Sequence, residues 1–391
     1  MFNLILAIIY LSFISLGLPD GLLGAAWPTM YPEFNVPVSC SGPIFIIISG
    51  GTIISSLLSD KLTKKLGPGM VTAISVALTT VALFGFSFSN SFILLCLWSI
   101  PYGIGAGGVD AALNNYVALH YSSKHMSWLH CMWGLGATIG PYIMGFVLSG
   151  GGIWNTGYRI VGIIQIALTF ILIFSLPLWK NQDATRNVGN NVAQNNSVPL
   201  SIKEIIKIPG AKEIMITFFC YCSLEQTAGL WASSYLVLFK EIDKETAATF
   251  ASLFYFGITF GRFISGFITM KLSDTAMIRL GLGVIASGIL LILLPGPDFL
   301  ALAGLIIVGL GCAPVYPCII HSTPTHFGAE KSQAMVGIQM ASAYVGNCTI
   351  PPLFGIIANH IDIKLFPIFL LIVLVIMVIS HEIVVVKTKH I

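Results

Sequence analysis

The chain has 391 residues, of which 56% are hydrophobic and 9% are charged, and its formal net charge is +3. A soluble domain carries about 25% charged residues, so this composition, with a mean hydropathy of +0.89, excludes a soluble enzyme and a disordered scaffold. The small net charge gives no support to nucleic-acid binding. The sequence therefore predicts an integral protein of the lipid bilayer.

Twelve apolar segments are each long enough for a helix to cross a bilayer, which takes about 20 residues. They are continuously apolar, whereas a membrane β-barrel needs short strands of alternating polarity. The predicted spans are 4–30, 40–59, 69–88, 92–119, 128–149, 158–179, 211–238, 247–270, 276–295, 299–323, 332–358 and 364–386. The expected fold class is an all-α membrane protein with twelve transmembrane helices. The first segment lacks a basic leader, so we interpret it as a transmembrane helix and not as a signal peptide.

The first span contains an acid directly after a proline, Pro19-Asp20. Proline removes a backbone donor, which predicts a kinked or unwound point there. An acid at membrane depth is costly and is usually functional, although a cap or an interhelical bond would also explain Asp20. Trp27, further along the span, could stack on a sugar ring or could pack in the core.

The second and third spans are joined by a predicted loop that combines one acid with three lysines: Asp60, Lys61, Lys64 and Lys65. Cytoplasmic loops are rich in Lys and Arg, which would explain the lysines alone. The regular spacing of the acid and the lysines suggests an additional role.

The fourth span contains Gly103-Ile-Gly105-Ala-Gly107-Gly108 followed by Asp110 and Asn114. The glycines satisfy G-x-G-x-x-G, but that motif binds dinucleotides only between a strand and a helix. Here we expect them to let a neighbouring helix approach closely. Asp110 and Asn114 share a helix face. A carboxylate beside an amide can bind a polyol, and a proton on Asp110 would remove a buried charge; a structural hydrogen bond is the alternative.

The fifth span begins with His130 and Trp133 and continues into a glycine-rich run that ends at Pro141. A histidine can titrate near neutral pH, which makes His130 a candidate site residue. Anchoring at the membrane interface is the ordinary alternative for both residues.

A polar, Asn-rich stretch divides the chain into two sets of six spans. We predict an N-terminal bundle at 1–180, a cytoplasmic linker at 181–210 and a C-terminal bundle at 211–391. Around Ile202–Ile208 the apolar spacing favours a short surface helix. Lys and Arg concentrate in the even-to-odd connections and the C-terminal tail, so both termini are expected to be cytoplasmic in an inner or plasma membrane.

The second half repeats features of the first. Its first span has Glu225, Gly229 and Trp231 at positions that resemble Asp20, Gly24 and Trp27. Repeated halves are typical of transporters with a site near the membrane midplane. This half contains further polar candidates: Gln226, Arg262, Tyr316, Gln339 and Asn347. The alternative for each is a structural hydrogen bond between helices.

The loop from Asp60 to Lys65 resembles the conserved loop of the major facilitator superfamily, G-x-x-x-D-R/K-x-G-R-R/K, with Ser56 and Thr63 in place of the glycines. In the second half, Gly261-Arg262-Phe-Ile-Ser-Gly266 precedes a second segment that matches this loop pattern less well. The resemblance implies two pseudo-symmetric six-helix bundles and a gating role for Asp60, Lys61, Lys64, Lys65 and Arg262.

Within that superfamily, Asp110-Ala-Ala-Leu-Asn114 is similar to the E-T-A-A-N pattern of the fucose permease group of sugar:proton symporters. The resemblance implies that Asp110 takes part in proton coupling and sugar binding. The run from Gly136 to Pro141 is similar to that group as well, but it also resembles the antiporter motif of drug exporters. The direction of transport therefore stays open at this point.

These observations predict a monomeric secondary transporter that carries a sugar together with a proton and uses no cofactor or metal. The proton-coupling candidates are Asp110, Glu225 and Asp20. The candidates for sugar contact are Asn114, His130, Trp133, Gln226, Trp231, Tyr316, Gln339, Asn347 and Trp27. The alternatives are proton-driven efflux of drugs or sugars, Na⁺-coupled sugar uptake, and a receptor or sensor that does not transport.

Overall fold

The computed structural model describes residues 4–37, 40–189, 200–242 and 244–389, which form helices joined by short connections. The first group of helices is α1 (Leu4–Gly17), α2 (Leu22–Glu33), α3 (Ser41–Leu66), α4 (Pro68–Phe88), α5 (Phe92–His120), α6 (Ser123–Ser149) and α7 (Trp154–Gly189). The second group is α8 (Ile202–Ile206), α9 (Ala211–Leu238), α10 (Lys244–Ile268), α11 (Asp274–Leu293), α12 (Asp298–Phe327), α13 (Ala329–His360) and α14 (Phe366–Lys387).

Most of these helices are long and apolar enough to cross a membrane. Ten segments of the described residues meet that description, with α1 and α2 counted together as Leu4–Trp27. Helix α10 adds a shorter apolar run, Leu253–Ile268, and α9 is a 28-residue helix that carries Glu225. The predicted twelve spans each correspond to one of these elements, so the chain is an integral membrane protein.

The first span is interrupted where Pro19 predicted a kink, and this prediction is confirmed. Helix α1 ends at Gly17 and α2 begins at Leu22. Gly21 adopts φ +78°, the left-handed region that glycine enters without steric cost. Since Pro19 has no N–H, the carbonyl of Ser15 lacks its usual helical partner. The Gln165 side-chain Nε2 donates to that carbonyl at 2.5 Å and replaces the missing donor.

The predicted loop between the second and third spans is wrong, because α3 continues through it to Leu66. Asp60 and Lys64 lie one helical turn apart, and the Lys64 Nζ is 3.0 Å from Asp60 Oδ2. Such i,i+4 pairs support a helix. The acid and the three lysines therefore occupy the last turns of α3, and the connection to α4 is a single residue, Gly67.

The structure divides into two compact units. The first contains the described residues up to Tyr116 and those from Met132 to Leu200; the second contains Val117–Cys131 and the described residues from Ser201 onward. The predicted bundle boundaries at 180 and 211 stay a prediction. The predicted short surface helix is confirmed as α8, where the Ser201 hydroxyl and backbone amide bond to Glu204 and hold the pKa of that carboxyl below its usual value.

In the first unit, small residues bring helices into backbone contact. A Cβ added at Gly140 in α6 would lie 1.8 Å from the Leu18 carbonyl oxygen, and one at Gly103 in α5 would lie 2.1 Å from the Ile48 carbonyl oxygen. The Thr52 hydroxyl bonds to the carbonyl of Gly103 at 3.1 Å. The expected close approach at the glycines of the fourth span is therefore confirmed.

In the second unit, the hairpin between α5 and α6 packs on α10 and α12. The Trp128 indole donates to the carbonyl of Phe263 at 3.3 Å and meets Phe267 edge to face at 5.5 Å. The His321 ring nitrogens lie 2.6 Å from Asp274 Oδ2 and 2.9 Å from the Tyr121 carbonyl oxygen. Polar and aromatic contacts therefore hold Val117–Cys131 in this unit.

Gly140→Ala should lower the thermal stability of the purified protein. The added methyl overlaps the backbone at Leu18, and overpacking of this kind costs about 1–3 kcal/mol. Gly145→Ala on the same helix is the matched control, because a Cβ there meets nothing within 4 Å. Thermal unfolding in detergent should show a lower midpoint for Gly140→Ala alone. Equal midpoints for the two variants would contradict the close helix approach.

Candidate functional site

The interruption between α1 and α2 holds a polar cluster in the first unit, which we call the Asp20 cluster: Asp20, Tyr102 and Trp133. The Trp133 indole Nε1 donates to Asp20 Oδ2 at 2.9 Å, and the Tyr102 hydroxyl donates to Asp20 Oδ1 at 3.3 Å. Within the part of the chain that the structure describes, these two neutral groups are the side-chain partners of the carboxylate. The interruption of α1 thus places an acid at membrane depth with both oxygens hydrogen-bonded.

A small cavity adjoins the Asp20 cluster. Ser15, Pro19, Thr79 and Tyr102 line it, together with the small and branched residues Ala106 and Val109 of α5. The cavity therefore lies against the opened turn of the first span and extends toward the helix that carries Asp110.

Asp110 and Asn114 occupy one face of α5, as the four-residue spacing predicted. The Asn114 Nδ2 donates to Asp110 Oδ1 at 2.7 Å and to the Asp110 carbonyl oxygen at 3.0 Å. Asp110 is 4% exposed and Asn114 is fully buried. An amide that donates to a carboxylate holds it in one orientation, and the role of this pair in proton coupling stays a prediction.

The second unit contains a different polar cluster, which we call the Arg262 cluster: Tyr221, Glu225, Arg262, Tyr316 and His130. Arg262 is 3% exposed, and its Nη2 lies 3.7 Å from Glu225 Oε2. The Tyr221 hydroxyl bonds to Glu225 Oε2 and lies 2.9 Å from the Cys312 carbonyl oxygen. The guanidinium carbon is 6.0 Å from the centre of the Tyr316 ring, within the range of a cation–π contact.

Aromatic rings surround this ion pair. The His130 and Tyr316 rings meet edge to face at 4.5 Å, and Phe218 lies 4.6 Å from Tyr316 between ring centres. The Tyr316 hydroxyl contacts the Met340 sulfur at 3.1 Å. His130 is 4% exposed, so it is a core residue of this unit and not an interfacial anchor.

The other predicted contact residues in the second unit hold helices together or stand at half-buried positions. Trp231 donates from its indole to the Pro351 carbonyl oxygen at 3.0 Å, which ties α9 to α13. Gln339 is fully buried and accepts from the Thr323 hydroxyl at 3.1 Å. Gln226 and Asn347 are half-buried. Their assignment to the sugar site stays a prediction.

Trp27 and Arg262 are both buried in the structure. Trp27 belongs to the apolar core of the first unit and is 5% exposed, which favours packing over stacking on a ligand. Arg262, which the resemblance grouped with the gating lysines, lies in the interior of α10 beside Glu225. Asp60, Lys61, Lys64 and Lys65 lie together at the end of α3, and the gating roles of these four residues and of Arg262 stay predictions.

Tyr102 and Tyr221 are residues of these clusters that the sequence patterns did not single out. Tyr221 carried a usable signal, because it precedes Glu225 by four residues and i,i+4 side chains on a helix are neighbours. Tyr102 carried none, because its bond to Asp20 spans 82 residues of sequence. Gln165 was missed for the same reason, since its partner Ser15 is 150 residues away.

The family model described as Major Facilitator Superfamily matches residues 9–242 and 234–389. The matches cover almost the whole chain, so the chain belongs to this superfamily and is a membrane transporter, not an enzyme. The predicted fold class of two related six-helix halves is confirmed.

The similar proteins include a sugar transporter and a yeast protein named for another property. The glucose/mannose transporter GlcP of Bacillus subtilis is 20% identical and covers 91% of this chain and 88% of its own length. The bypass of stop codon protein 6 of Saccharomyces cerevisiae is 24% identical, over 91% of this chain and 77% of its own.

Two solved structures share the fold. The fucose:proton symporter FucP of E. coli has a TM-score of 0.74 at 15% identity, covering 96% of this chain and 98% of its own. The proton:xylose symporter XylE has a TM-score of 0.77 at 12% identity, covering 97% and 94%. The resemblance to the fucose permease group is thereby confirmed at the level of the fold.

Removal of either partner of the Glu225–Arg262 pair should destabilise the protein more than removal of both. A buried charge left without its partner costs about 3–5 kcal/mol, whereas loss of the whole pair is much less costly. Thermal unfolding of Arg262→Gln, Glu225→Gln and the double variant measures this coupling. Effects that simply add would show that the two residues do not interact.

Proposed function

We propose that this transporter carries a monosaccharide across the membrane together with a proton, by alternating access. The observation that supports the proposal most strongly is the Asp20 cluster. Its carboxyl group lies at membrane depth in an interrupted helix, held by an indole N–H and a phenol O–H. Protonation removes its charge, so the state of Asp20 can decide whether the surrounding helices close over it.

The partners of Asp20 favour a proton over Na⁺. A sodium site needs oxygen atoms that present lone pairs, as other hard-cation sites do. An indole N–H cannot coordinate a cation, and the Tyr102 hydroxyl directs its hydrogen toward the carboxylate. The two donors therefore suit an acid that exchanges a proton, and Na⁺-coupled uptake becomes the second candidate.

The side chains near the acids suit a hydroxyl-rich substrate. Amide and carboxylate groups exchange hydrogen bonds with hydroxyls, and aromatic rings cover the apolar faces of a sugar. Within the first unit, Asn114 and Asp110 supply the first kind of group, and Trp133 supplies the second. The similarity to glucose/mannose, fucose and xylose transporters supports the same substrate class.

In the proposed cycle, the transporter binds a proton and a sugar from outside, closes around them and opens to the cytoplasm. Asp110, Asp20 and Glu225 are the proposed proton-coupling acids, and charge neutralisation permits closure. The two halves of such transporters move largely as rigid bodies around a fixed site. Both termini are proposed to be cytoplasmic, in agreement with the distribution of Lys and Arg.

Sugar addition to proteoliposomes of the purified protein should raise the external pH when the sugar is a substrate. A panel of monosaccharides at constant buffer strength identifies which sugar causes the change. Asp20→Asn should abolish the pH change, because an amide cannot carry the proton. Asp362→Asn, an exposed acid outside the long helices, is the control that should keep it. Acidification outside, or a response only to lipophilic cations, would instead indicate an exporter.

Asp110→Asn should still exchange labelled sugar across the membrane but should lose accumulation driven by a pH gradient. The amide keeps the shape of the site and its bond to Asn114, while it removes the proton carrier. Counterflow and gradient-driven uptake measured on the same vesicles separate the two steps. Accumulation against a gradient by this variant would show that Asp110 does not couple the proton.

A further inference from the structure

The Arg262 cluster contains a buried positive charge that the proposed symport of a neutral sugar does not require. Arg262 lies in the interior of α10, 3% exposed, and Glu225 balances it from α9. Among the described residues of this cluster it supplies the only fixed positive charge. A guanidinium at membrane depth is costly and is usually part of a pathway.

The contact between Glu225 and Arg262 is long for an ion pair. The 3.7 Å between Nη2 and Oε2 exceeds the length of a charge-assisted hydrogen bond, about 2.7–2.9 Å. Glu225 is 18% exposed, more than Arg262 at 3%. It also has a second partner in Tyr221, whose hydroxyl can accept from a protonated carboxyl. Glu225 can therefore leave Arg262 without losing all of its hydrogen bonds.

We propose that Arg262 binds the carboxylate of an acidic monosaccharide, such as a hexuronate, while Glu225 takes up the proton that enters with it. A guanidinium presents a planar fork that fits a carboxylate with two parallel bonds. The Tyr316 ring, whose centre is 6.0 Å from the guanidinium carbon, stands beside it and can cover the sugar ring. The proposal rests on the proposed function and names its substrate class.

The charges in this exchange balance. Before binding, Arg262⁺ faces Glu225⁻. After binding, Arg262⁺ faces the substrate carboxylate, and Glu225 is neutral because it carries the proton. One negative substrate and one proton move together, so transport moves no net charge. A neutral sugar with one proton would move one positive charge. A sugar phosphate, with about two negative charges, would leave this cluster with one excess negative charge.

The test uses matched pairs of sugars that differ only at C6: D-glucose with D-glucuronate, and D-galactose with D-galacturonate. Uptake into proteoliposomes is followed with labelled sugar, a pH dye and a membrane-potential dye. The expected result is proton-coupled uptake of an acidic sugar that leaves the membrane potential unchanged. Arg262→Lys keeps the charge but loses the fork, and should reduce acidic-sugar uptake about 10- to 100-fold, the range expected for loss of hydrogen bonds to a charged group.

Two further variants separate recognition from proton coupling and from folding. Glu225→Gln should retain binding of the acidic sugar and lose its coupling to the proton. The double variant Glu225→Gln with Arg262→Gln has no net change in charge and should fold, yet it should not take up the acidic sugar. Arg279→Gln is the control, because that arginine is exposed and pairs with Glu382 outside the cluster.

Two results would overturn the inference and a third would overturn both proposals. If neutral sugars move with protons while the acidic members neither move nor compete, proton:sugar symport is supported and the proposed role of Arg262 is wrong. If Arg262→Lys and the double variant carry acidic sugars as well as the unchanged protein does, the proposed role of Arg262 is also wrong. If no sugar of either kind moves protons, the proposed function fails together with this one.

Discussion

Hydrocarbon offers no hydrogen bonds, so each polar group at membrane depth has to find its partner inside the protein. The first span shows what this constraint does. Pro19 leaves the carbonyl of Ser15 without a helical donor, and the side chain of Gln165 from α7 supplies one. The interruption of the helix is thereby stabilised from outside the helix. Without that bond, the break that positions Asp20 would expose an unsatisfied backbone group.

The same constraint is met in two chemically different ways in the two units. Asp20 is held by neutral donors, so its charge is not cancelled and a proton is the simplest means to cancel it. Glu225 is held by a guanidinium and a phenol, so the charge is already balanced and a second anion is needed to disturb it. The first arrangement suits a group that gains and loses a proton. The second suits a group that a ligand anion displaces and that takes up a proton when it is displaced.

Close packing makes these arrangements specific. Small residues let the backbones of α1 and α6 touch, and the same contact brings Trp133 on α6 within 2.9 Å of Asp20. A larger side chain at Gly140 would separate the two helices and lengthen that hydrogen bond. Small residues that stabilise a membrane helix pair can therefore also set the geometry of a polar site.

The sequence by itself determined the membrane class, the twelve spans, the break at Pro19 and the pairing of Asp110 with Asn114. These follow from local properties: the length of an apolar run, the missing donor of proline and the four-residue repeat of a helix face. Local patterns predicted a loop where α3 in fact continues. There, Asp60 and Lys64 lie one helical turn apart and form an ion pair that supports the helix.

Only the tertiary structure decided which polar residues meet. Tyr102, Trp133 and Asp20 lie on three separate elements, and no spacing in the sequence relates them. Arg262 was grouped with the loop lysines by resemblance, yet packing of α9 against α10 places it beside Glu225. Contacts between helices depend on how whole helices rotate and cross, which is set by side-chain packing along their full length and not by any short motif.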